Sequence, residues 1–322
     1  MAVFAACGTG SEGNGRSGDE VGSATTELEA RVTARLDSLP ARTSAYARHL
    51  PTGREITVRA QRPMNSLSVI KVAVMARAFA DAAQGRLSMS DRFPVTRQDM
   101  RPGSGLLQTF QPGLRPSFRD LVTQMIITSD NTATDMVVDR VGITRVNRML
   151  DTLGYEQTRI RMSTGDVFHH LWIRKDSAYA DSSRTMLFER GTPGGAGASQ
   201  RAFAFEGDST EWLGRMTARE IGEFLERIYR GELVSEQASE EMLGILRRQF
   251  YSSRLPRFLG SDVSVAHKTG DWPPHAGNDV GILLYEGGPS VVAVFTNQNR
   301  GDFVEVERTI GRIAADVIAT WN

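Results

Sequence analysis

The sequence predicts an α+β protein in which an antiparallel sheet with flanking helices is built from both ends of the chain and a second lobe is all helical. Short runs rich in β-branched residues stand near both termini, the middle of the chain has helical periodicity, and no segment repeats. The 322 residues are 40% hydrophobic, which is ample for a buried core. We expect the functional site in the cleft between the two lobes.

Residues 1–24 predict a flexible tether, because Gly, Ser and Thr dominate them and cannot form a core. Small residues precede Cys7, as they do at the end of a bacterial lipoprotein signal. We therefore expect an extracytoplasmic protein, either periplasmic or lipid-anchored at Cys7; the alternative is a mobile terminus with a free thiol. Cys7 is the single cysteine, which excludes an internal disulfide and a cysteine-based zinc site.

One domain is predicted over residues 25–322, with its helical lobe at about 68–215. Apolar residues at helical spacing predict a first helix over residues 26–39, which Pro40 ends. A hairpin of two strands, further helices, three strands and a closing helix are predicted to follow. Their ranges are 43–50 and 55–60 for the hairpin, 69–83, 117–128, 134–153, 216–230 and 239–247 for the helices, 263–267, 280–285 and 291–297 for the strands, and 304–321 for the closing helix.

Residues 162–213 fit neither a helical nor a strand pattern, because no period is sustained through their Gly, Pro and His residues. A structureless stretch of this length is uncommon inside a compact domain, and where it occurs it is usually functional or mobile. We expect an irregular insertion that acts as a lid over the site.

The charge balance is neutral, with 38 basic and 38 acidic residues. No basic run of the kind that binds phosphates is present, so nucleic acid is not expected as a partner. No apolar run approaches the length of about 18 residues that spans a bilayer. Only three of the 38 basic residues are lysines, namely Lys71, Lys175 and Lys268. Because lysine can lose its proton on burial and arginine cannot, a rare lysine in this chain is a candidate for chemistry.

Ser68 and Lys71 stand three residues apart at the start of a predicted helix. Residues at i and i+3 share a helix face, so the lysine can reach the serine hydroxyl. A serine hydroxyl becomes a good nucleophile when a nearby base takes its proton. Taken alone, this spacing also occurs by chance in many proteins.

Two further short motifs follow along the chain. Ser129-Asp130-Asn131 lies between two predicted helices, where such residues commonly cap the next helix. Lys268-Thr269-Gly270 ends a predicted strand, where the glycine lets a ligand or another chain approach closely. Either motif alone has a structural explanation, but two of the three lysines fall inside this set of motifs.

Together the S-x-x-K, S-D-N and K-T-G elements resemble those of the class A serine β-lactamases and, more broadly, of the penicillin-recognising serine hydrolases. Neighbouring stretches support the resemblance, which covers about residues 26–322 apart from the insertion; they are residues 102–108, 125–135, 215–220 and 278–281. The resemblance implies a class A β-lactamase-like fold and a small β-lactam or related acyl substrate. No cofactor is expected, and no metal is expected because the adjacent His169 and His170 do not form a typical ligand pair and no third ligand is evident.

The resemblance also implies roles for the acylating residues. Ser68 would be the nucleophile that opens the lactam, and Lys71 would activate it or relay its proton. Ser129 would pass a proton to the leaving nitrogen. Asn131 would hold both the substrate amide and Lys71.

For the third motif, the resemblance implies substrate binding. Lys268 would attract the substrate carboxylate, and Thr269 would donate a hydrogen bond to it. Gly270 would leave room at the strand edge. The backbone N–H groups of Ser68 and Asp271 would form the oxyanion hole.

The sequence departs from this family at the deacylation step. Class A enzymes activate the hydrolytic water with a glutamate in an E-x-x-L-N element of the Ω loop, and this chain contains no such element. Counting from Leu153 without gaps puts the place of the glutamate near Thr164. Asp166 is the nearest carboxylate and our candidate base. Other candidates, each of which is alternatively a solvated loop residue, are His169, His170, Glu189, Glu206 and Glu211.

We therefore expect a serine β-lactamase-type hydrolase that forms an acyl-enzyme on Ser68 and deacylates slowly or unusually. The alternatives are a D-Ala-D-Ala peptidase or esterase-like hydrolase, and a β-lactam-binding or sensing module that stays acylated. Trp272 and the Pro273-Pro274 pair either line the cleft or pack in the core. Arg300 is a further candidate for binding the substrate carboxylate.

Overall fold

The computed structural model describes residues 18–322, so Cys7 and the predicted signal remnant lie outside the described residues. The first helix, α1 (Gly18–Asp37), begins earlier than the predicted end of the tether at residue 24. That boundary was wrong because composition alone set it. Leu28, Val32 and Leu36 of α1 are fully buried, and such packing stabilises a helix beyond its intrinsic propensity.

The eight strands form two antiparallel sheets. They are β1 (Arg42–His49), β2 (Glu55–Val58), β3 (Met64–Asn65), β4 (Arg159–Ile160), β5 (Gly214–Met216), β6 (Ser264–Trp272), β7 (Ala276–Leu284) and β8 (Ser290–Asn297). The large sheet has the order β2-β1-β8-β7-β6, with β1 paired along its whole length to β8. This pairing joins both ends of the chain in one sheet and confirms the predicted architecture.

The remaining helices fill the middle of the chain and its end. They are α2 (Lys71–Ala83), α3 (Phe118–Ile127), α4 (Asn131–Val141), α5 (Ile143–Thr152), α6 (Thr164–Lys175), α7 (Arg184–Arg190), α8 (Ala198–Gly207), α9 (Ala218–Tyr229), α10 (Glu236–Leu246) and α11 (Phe303–Trp321). The single helix predicted over residues 134–153 is divided at Gly142, whose φ of +75° suits glycine and ends α4.

The insertion over residues 162–213 is helical, so the expectation of an irregular segment was wrong. Ser163 caps α6 in a capping box with Asp166, and Leu171 and Trp172 of α6 are buried in the core. The Gly- and Pro-rich residues 191–197 are only the connection between α7 and α8. Because the apolar faces of α6 and α8 are weak and α7 has only seven residues, their periodicity is lost in the sequence.

A small sheet of order β3-β5-β4, which was not predicted, lies beside the nucleophile motif. Its strands have only two or three residues, too few to show alternation. Asn65 pairs with Arg215, and a Cβ on Gly214 would lie 2.7 Å from the hydroxyl oxygen of Ser66. The end of the insertion is thereby held against the segment that leads to Ser68.

Two hydrophobic clusters cover the two faces of the large sheet. One contains α1 and α11, with Leu28, Val292 and Trp321 among its buried members. The other lies between the sheet and the helical lobe and contains Tyr46 and Phe79. The open edge strand, β6, borders the cleft between the lobes. Over residues 18–322, none of the helices combines the length and the apolar character needed to cross a bilayer.

Candidate active site

Ser68 lies in a tight helical turn, Leu67–Ile70, that leads directly into α2. Leu67 has a φ of +47°, a conformation that is costly for a branched residue and is often found at functional sites. The side-chain oxygen of Asn65 accepts a hydrogen bond of 3.2 Å from the Leu67 N–H and supports this turn. Ser68 is half-buried and lines a cleft of about 670 Å³ between the lobes.

Lys71 is fully buried at the first position of α2. Its Nζ donates hydrogen bonds to the Ser129 carbonyl oxygen (2.8 Å), to Ser129 Oγ (3.2 Å) and to Asn131 Oδ1 (3.0 Å). Burial, and after it the charge of Lys268, lowers the pKa of Lys71 well below its ordinary value. The structure thus joins the first two motifs, although these Nζ hydrogen bonds go to Ser129 and Asn131 rather than to the Ser68 hydroxyl expected from helical spacing.

The S-D-N motif both caps a helix and lies at the site, as its residues suggested. Ser129 is buried with a φ of +55° in the turn before α4. Asp130 caps α4 by accepting a hydrogen bond from the Ala133 N–H (2.8 Å), and its other oxygen accepts one from the Leu107 N–H (2.7 Å). One carboxylate therefore holds the helix start and the preceding loop together.

The loop over residues 102–105 fixes the orientation of Asn131. The Asn131 side-chain amide donates to the Pro102 carbonyl (2.8 Å), and its backbone N–H donates to the Ser104 carbonyl (3.0 Å). Gly105 has a φ of +110°, and a Cβ there would lie 2.3 Å from the Asp130 Cα, so only glycine fits. With its amide donor used in this way, Asn131 presents its oxygen to Lys71.

The K-T-G motif lies on the edge strand β6, with Lys268 fully buried and Thr269 beside it. Lys268 Nζ donates to the Thr269 carbonyl oxygen (2.8 Å). Burial lowers the pKa of Lys268 to about 8, although the charges of Asp271 and Asp279 act against this shift. A Cβ on Gly270 would lie 2.9 Å from the Ser66 carbonyl oxygen, so this glycine allows β6 to pass close to the nucleophile turn.

Arg254 is a charged neighbour of this strand that no sequence pattern singled out. It is almost completely buried, donates to the Asn278 carbonyl (2.9 Å) and forms an ion pair with Asp271. Burial would raise the pKa of Asp271, but the Arg254 charge and hydrogen bond hold that pKa below its ordinary value. Arg254 stands in a loop without a motif, and only the folded chain brings it to β6.

Thr164 lies in the cleft lining, where counting from Leu153 placed the missing glutamate. Its hydroxyl donates to Asp135 Oδ1 (2.7 Å), and the N–H groups of Thr164 and Gly165 donate to the same carboxylate (2.7 and 2.9 Å). Arg101 forms a buried ion pair with Asp135 (2.7 Å). The start of α6 is therefore fixed to α4 at this point, with a hydroxyl in place of a carboxylate.

Asp166, the predicted base, is not among the residues that line the cleft. It occupies the third position of α6, where its Oδ2 accepts hydrogen bonds from the Ser163 hydroxyl (2.7 Å) and backbone N–H (3.3 Å). A residue at this position of a capping box turns back toward the helix start. The contacts that the structure shows for Asp166 are therefore those of a helix cap.

The other candidate bases differ in their surroundings. Glu189 forms an exposed ion pair with Arg97 (2.8 Å). Glu211 lines the cleft but is held by His170 Nδ1 (2.8 Å) and by Arg174 (3.0 Å). His169 is absent from the cleft lining. The structure therefore does not bring Glu189, Glu211, His169 and His170 together as one group at the site.

Glu206, on α8, is a buried member of the cleft lining and not a solvated loop residue. Its Oε2 accepts hydrogen bonds from the Gln298 N–H (3.0 Å) and side-chain amide (2.7 Å), and its Oε1 accepts one from the Asn65 amide (3.4 Å). Burial raises the pKa of Glu206, while the hydrogen bonds from Gln298 and Asn65 act in the opposite direction. The sequence alone could not separate Glu206 from the other glutamates of the insertion.

Aromatic rings form the other wall of the cleft. Trp272 is stacked with Phe168 of α6 (ring centroids 6.5 Å apart) and with Phe205 of α8 (5.9 Å). Trp272, Pro273 and Pro274 line the cleft, and Trp272 also packs against the main core. Arg300 instead lies over the Phe203 ring at 5.0 Å and lines a neighbouring groove, so the structure does not place it with Lys268.

Within the part of the chain that the structure describes, no three His, Cys, Asp or Glu side chains are grouped so that they could hold a metal ion.

The lobes, the three motifs and the cleft together define the class of the protein: it has the class A β-lactamase fold, with the S-x-x-K, S-D-N and K-T-G elements meeting at its interlobe cleft. The chain belongs to the β-lactamase enzyme family, whose model matches residues 27–321. No curated protein matches the sequence.

Solved structures with this fold are similar over nearly the whole chain. The β-lactamase of Sphaerobacter thermophilus has 24% sequence identity and a TM-score of 0.73, over 91% of this chain and 97% of that one. PBP-A has 22% identity and a TM-score of 0.73, over 91% and 95% of the two chains. A variant of PBP-A, solved as an acyl-enzyme complex with penicillin G, is equally similar at 22% identity and a TM-score of 0.73, over 91% and 96%.

Proposed function

We propose that this protein is a serine hydrolase that opens β-lactams through an acyl-enzyme on Ser68 and hydrolyses that acyl-enzyme slowly. The observation that carries the proposal is the buried Lys71, which is hydrogen-bonded to Ser129 and Asn131 and starts the helix that follows Ser68. A lysine in this environment gives up its proton more readily than a solvated one, and a neutral amine is a base.

In the acylation step, Lys71 takes the Ser68 proton as Oγ bonds to the lactam carbonyl carbon. The backbone N–H groups of Ser68 and Asp271 stabilise the oxygen that becomes negative. Asp271 is on the sheet edge, where backbone N–H groups are open to a ligand. Ser129 then passes a proton to the ring nitrogen as the C–N bond breaks, and Lys71 returns a proton to Ser129 across their 3.2 Å contact.

Substrate binding is assigned to the third motif and to Asn131. The charge of Lys268, with Arg254 close to the same strand, favours a substrate that carries a carboxylate, as β-lactams do. Thr269 adds a hydrogen bond, and Gly270 leaves the strand edge accessible. Asn131 reaches the cleft and can also hold an acyl amide group.

Slow hydrolysis follows from the cleft wall at Thr164. A hydroxyl already donated to Asp135 cannot take a proton from water as a carboxylate does. The similarity to PBP-A, a variant of which was solved as an acyl-enzyme with penicillin G, supports the second candidate, a β-lactam-binding protein that stays acylated. A peptidase or esterase would share the same acylating residues. An extracytoplasmic location, supported by the residues before Cys7, completes the proposal.

Intact-protein mass spectrometry after mixing with benzylpenicillin tests the proposal, with Ser68→Ala as the control. We expect an adduct of the drug mass that forms on the wild-type protein, is absent from Ser68→Ala, and decays to free enzyme and hydrolysed drug. A persistent adduct would favour the binding protein. If no adduct forms while the wild-type protein is folded, the β-lactam assignment is wrong.

A further inference from the structure

Three carboxyl groups line the cleft, and their surroundings differ. Asp271 is paired with Arg254, and Glu211 is held by Arg174 and His170. The Arg254 cation makes the Asp271 carboxylate a weaker proton acceptor, because it favours the charged form. Both oxygens of Glu211 are already engaged, Oε1 by Arg174 and Oε2 by His170.

Glu206 is the third, and its hydrogen-bond donors are neutral. They are the backbone N–H and side-chain amide of Gln298, on Oε2, and the side-chain amide of Asn65, on Oε1. A carboxylate offers about four acceptor positions, so Oε1, with one contact of 3.4 Å, keeps a position for a water molecule. The carboxyl is thus held in place without being neutralised by a partner.

Glu206 is also connected to the nucleophile turn. Asn65 donates to Glu206 from its amide and accepts the Leu67 N–H on its oxygen, one residue before Ser68. Gln298, with a φ of +52° just beyond β8, holds the other side of the carboxylate. Glu206 and Ser68 both line the cleft.

We propose that Glu206 is the general base that hydrolyses the Ser68 acyl-enzyme, in place of the carboxylate that is missing at Thr164. The inference rests on the proposed function and assigns the second half of that reaction. Glu206 takes one proton from water as the water oxygen bonds to the acyl carbonyl carbon. The bond from that carbon to Ser68 Oγ then breaks, and the proton returns through cleft water to Oγ, so one water is consumed.

The electrostatic surroundings of Glu206 suit a general base. Burial raises its pKa, and the hydrogen bonds from Gln298 and Asn65 and then the charge of Arg42 limit the rise. A general base works best when its pKa lies near the operating pH. Adduct decay should therefore increase as pH rises and Glu206 loses its proton.

The test is a time course of the benzylpenicillin adduct by intact mass, from pH 5 to 8, for wild type, Glu206→Gln and Glu211→Gln. We expect equal acylation rates in all three proteins. Adduct decay should slow by about 10²–10⁴-fold in Glu206→Gln and lose its pH dependence, and it should be unchanged in Glu211→Gln. Glu206→Asp, which keeps a carboxyl group, should restore part of the decay.

Other outcomes separate this inference from the proposed function. Decay in Glu206→Gln at the wild-type rate, or a Glu206→Gln variant that slows acylation as much as decay, would overturn the role of Glu206 as base. A wild-type adduct that never decays would also overturn it while leaving acylation on Ser68 established. No adduct on the wild-type protein would instead refute the proposed function.

Discussion

The two walls of the cleft are formed by different parts of the chain. One wall consists of elements that pack in the main core: the start of α2, the turn before α4, and β6, which carry two buried lysines. The other wall is the insertion, whose helices α6 and α8 contribute aromatic rings and Glu206. The first wall holds the groups that we propose form the acyl-enzyme, and the second holds the group that we propose removes it.

In the proposed mechanism, the two half-reactions are therefore encoded in different ways. The acylating groups stand in short motifs whose internal spacing is preserved by a helix or a strand. On the opposite wall, Thr164 replaces a carboxylate, and a glutamate 42 positions further along the chain reaches the same cleft through tertiary packing. We therefore expect that mutations can alter either half-reaction without altering the other. Four measurements test this separation.

The largest expected effect is on the acylating wall. Lys71→Arg should slow acylation by benzylpenicillin by about 10²–10⁴-fold, because a guanidinium does not release its proton to act as a base. Lys175→Arg, the same change at the lysine of the insertion, should leave the acylation rate unchanged. Stopped-flow or rapid-quench mass spectrometry measures both. A Lys71→Arg protein that acylates within tenfold of wild type would remove Lys71 as the base.

Asp135 joins the two walls, so its loss should be the largest structural effect. Asp135→Ala leaves Arg101 buried without its partner and frees the start of α6, which should lower the free energy of unfolding by about 3–5 kcal/mol. The control is Asp151→Ala, which removes a more exposed partner of Arg159 and should cost about 0–1 kcal/mol. Urea denaturation followed by circular dichroism measures both, and equal losses would contradict the prediction.

The rate of acylation should fall at both low and high pH. At low pH Lys71 takes up a proton and stops acting as a base. Above about pH 8 Lys268 loses its charge, because its pKa is about 8, and acylation efficiency should then fall by roughly tenfold per pH unit. Lys268→Arg, which stays charged, should abolish the alkaline fall. If acylation efficiency still falls at alkaline pH in Lys268→Arg, another group that loses its proton is responsible.

The smallest effect is expected at Asp166. Asp166→Ala removes half of the capping box of α6, which should lower the free energy of unfolding by about 1 kcal/mol. Adduct decay should not change, since the Asp166 carboxylate is held in the capping box. The same denaturation and mass measurements serve here. An adduct that persists in Asp166→Ala but not in wild type would restore Asp166 as the base.

The sequence predicted Ser68, Lys71, Ser129, Asn131 and Lys268 as site residues because each lies in a motif with a fixed local geometry, and the structure brings Lys71 into contact with Ser129 and Asn131. For Asp166 the sequence offered only nearness in the chain, and the structure shows a capping contact with Ser163. Arg254 was missed because burial and the approach to β6 depend on the whole fold, as does the difference between Glu206 and Glu211. The sheet was predicted from its β-branched strands, whereas the helices of the insertion lacked a periodic signal.

The scarcity of lysine has a practical consequence. Lys71 and Lys268 are fully buried, and Lys175, half-buried at the cleft lining, is the one remaining lysine. Among the three lysines, an amine-reactive dye should therefore label Lys175 of the native protein and leave the two buried amines untouched. A fluorophore at Lys175 would report on the insertion as the cleft fills and empties, with no engineered cysteine.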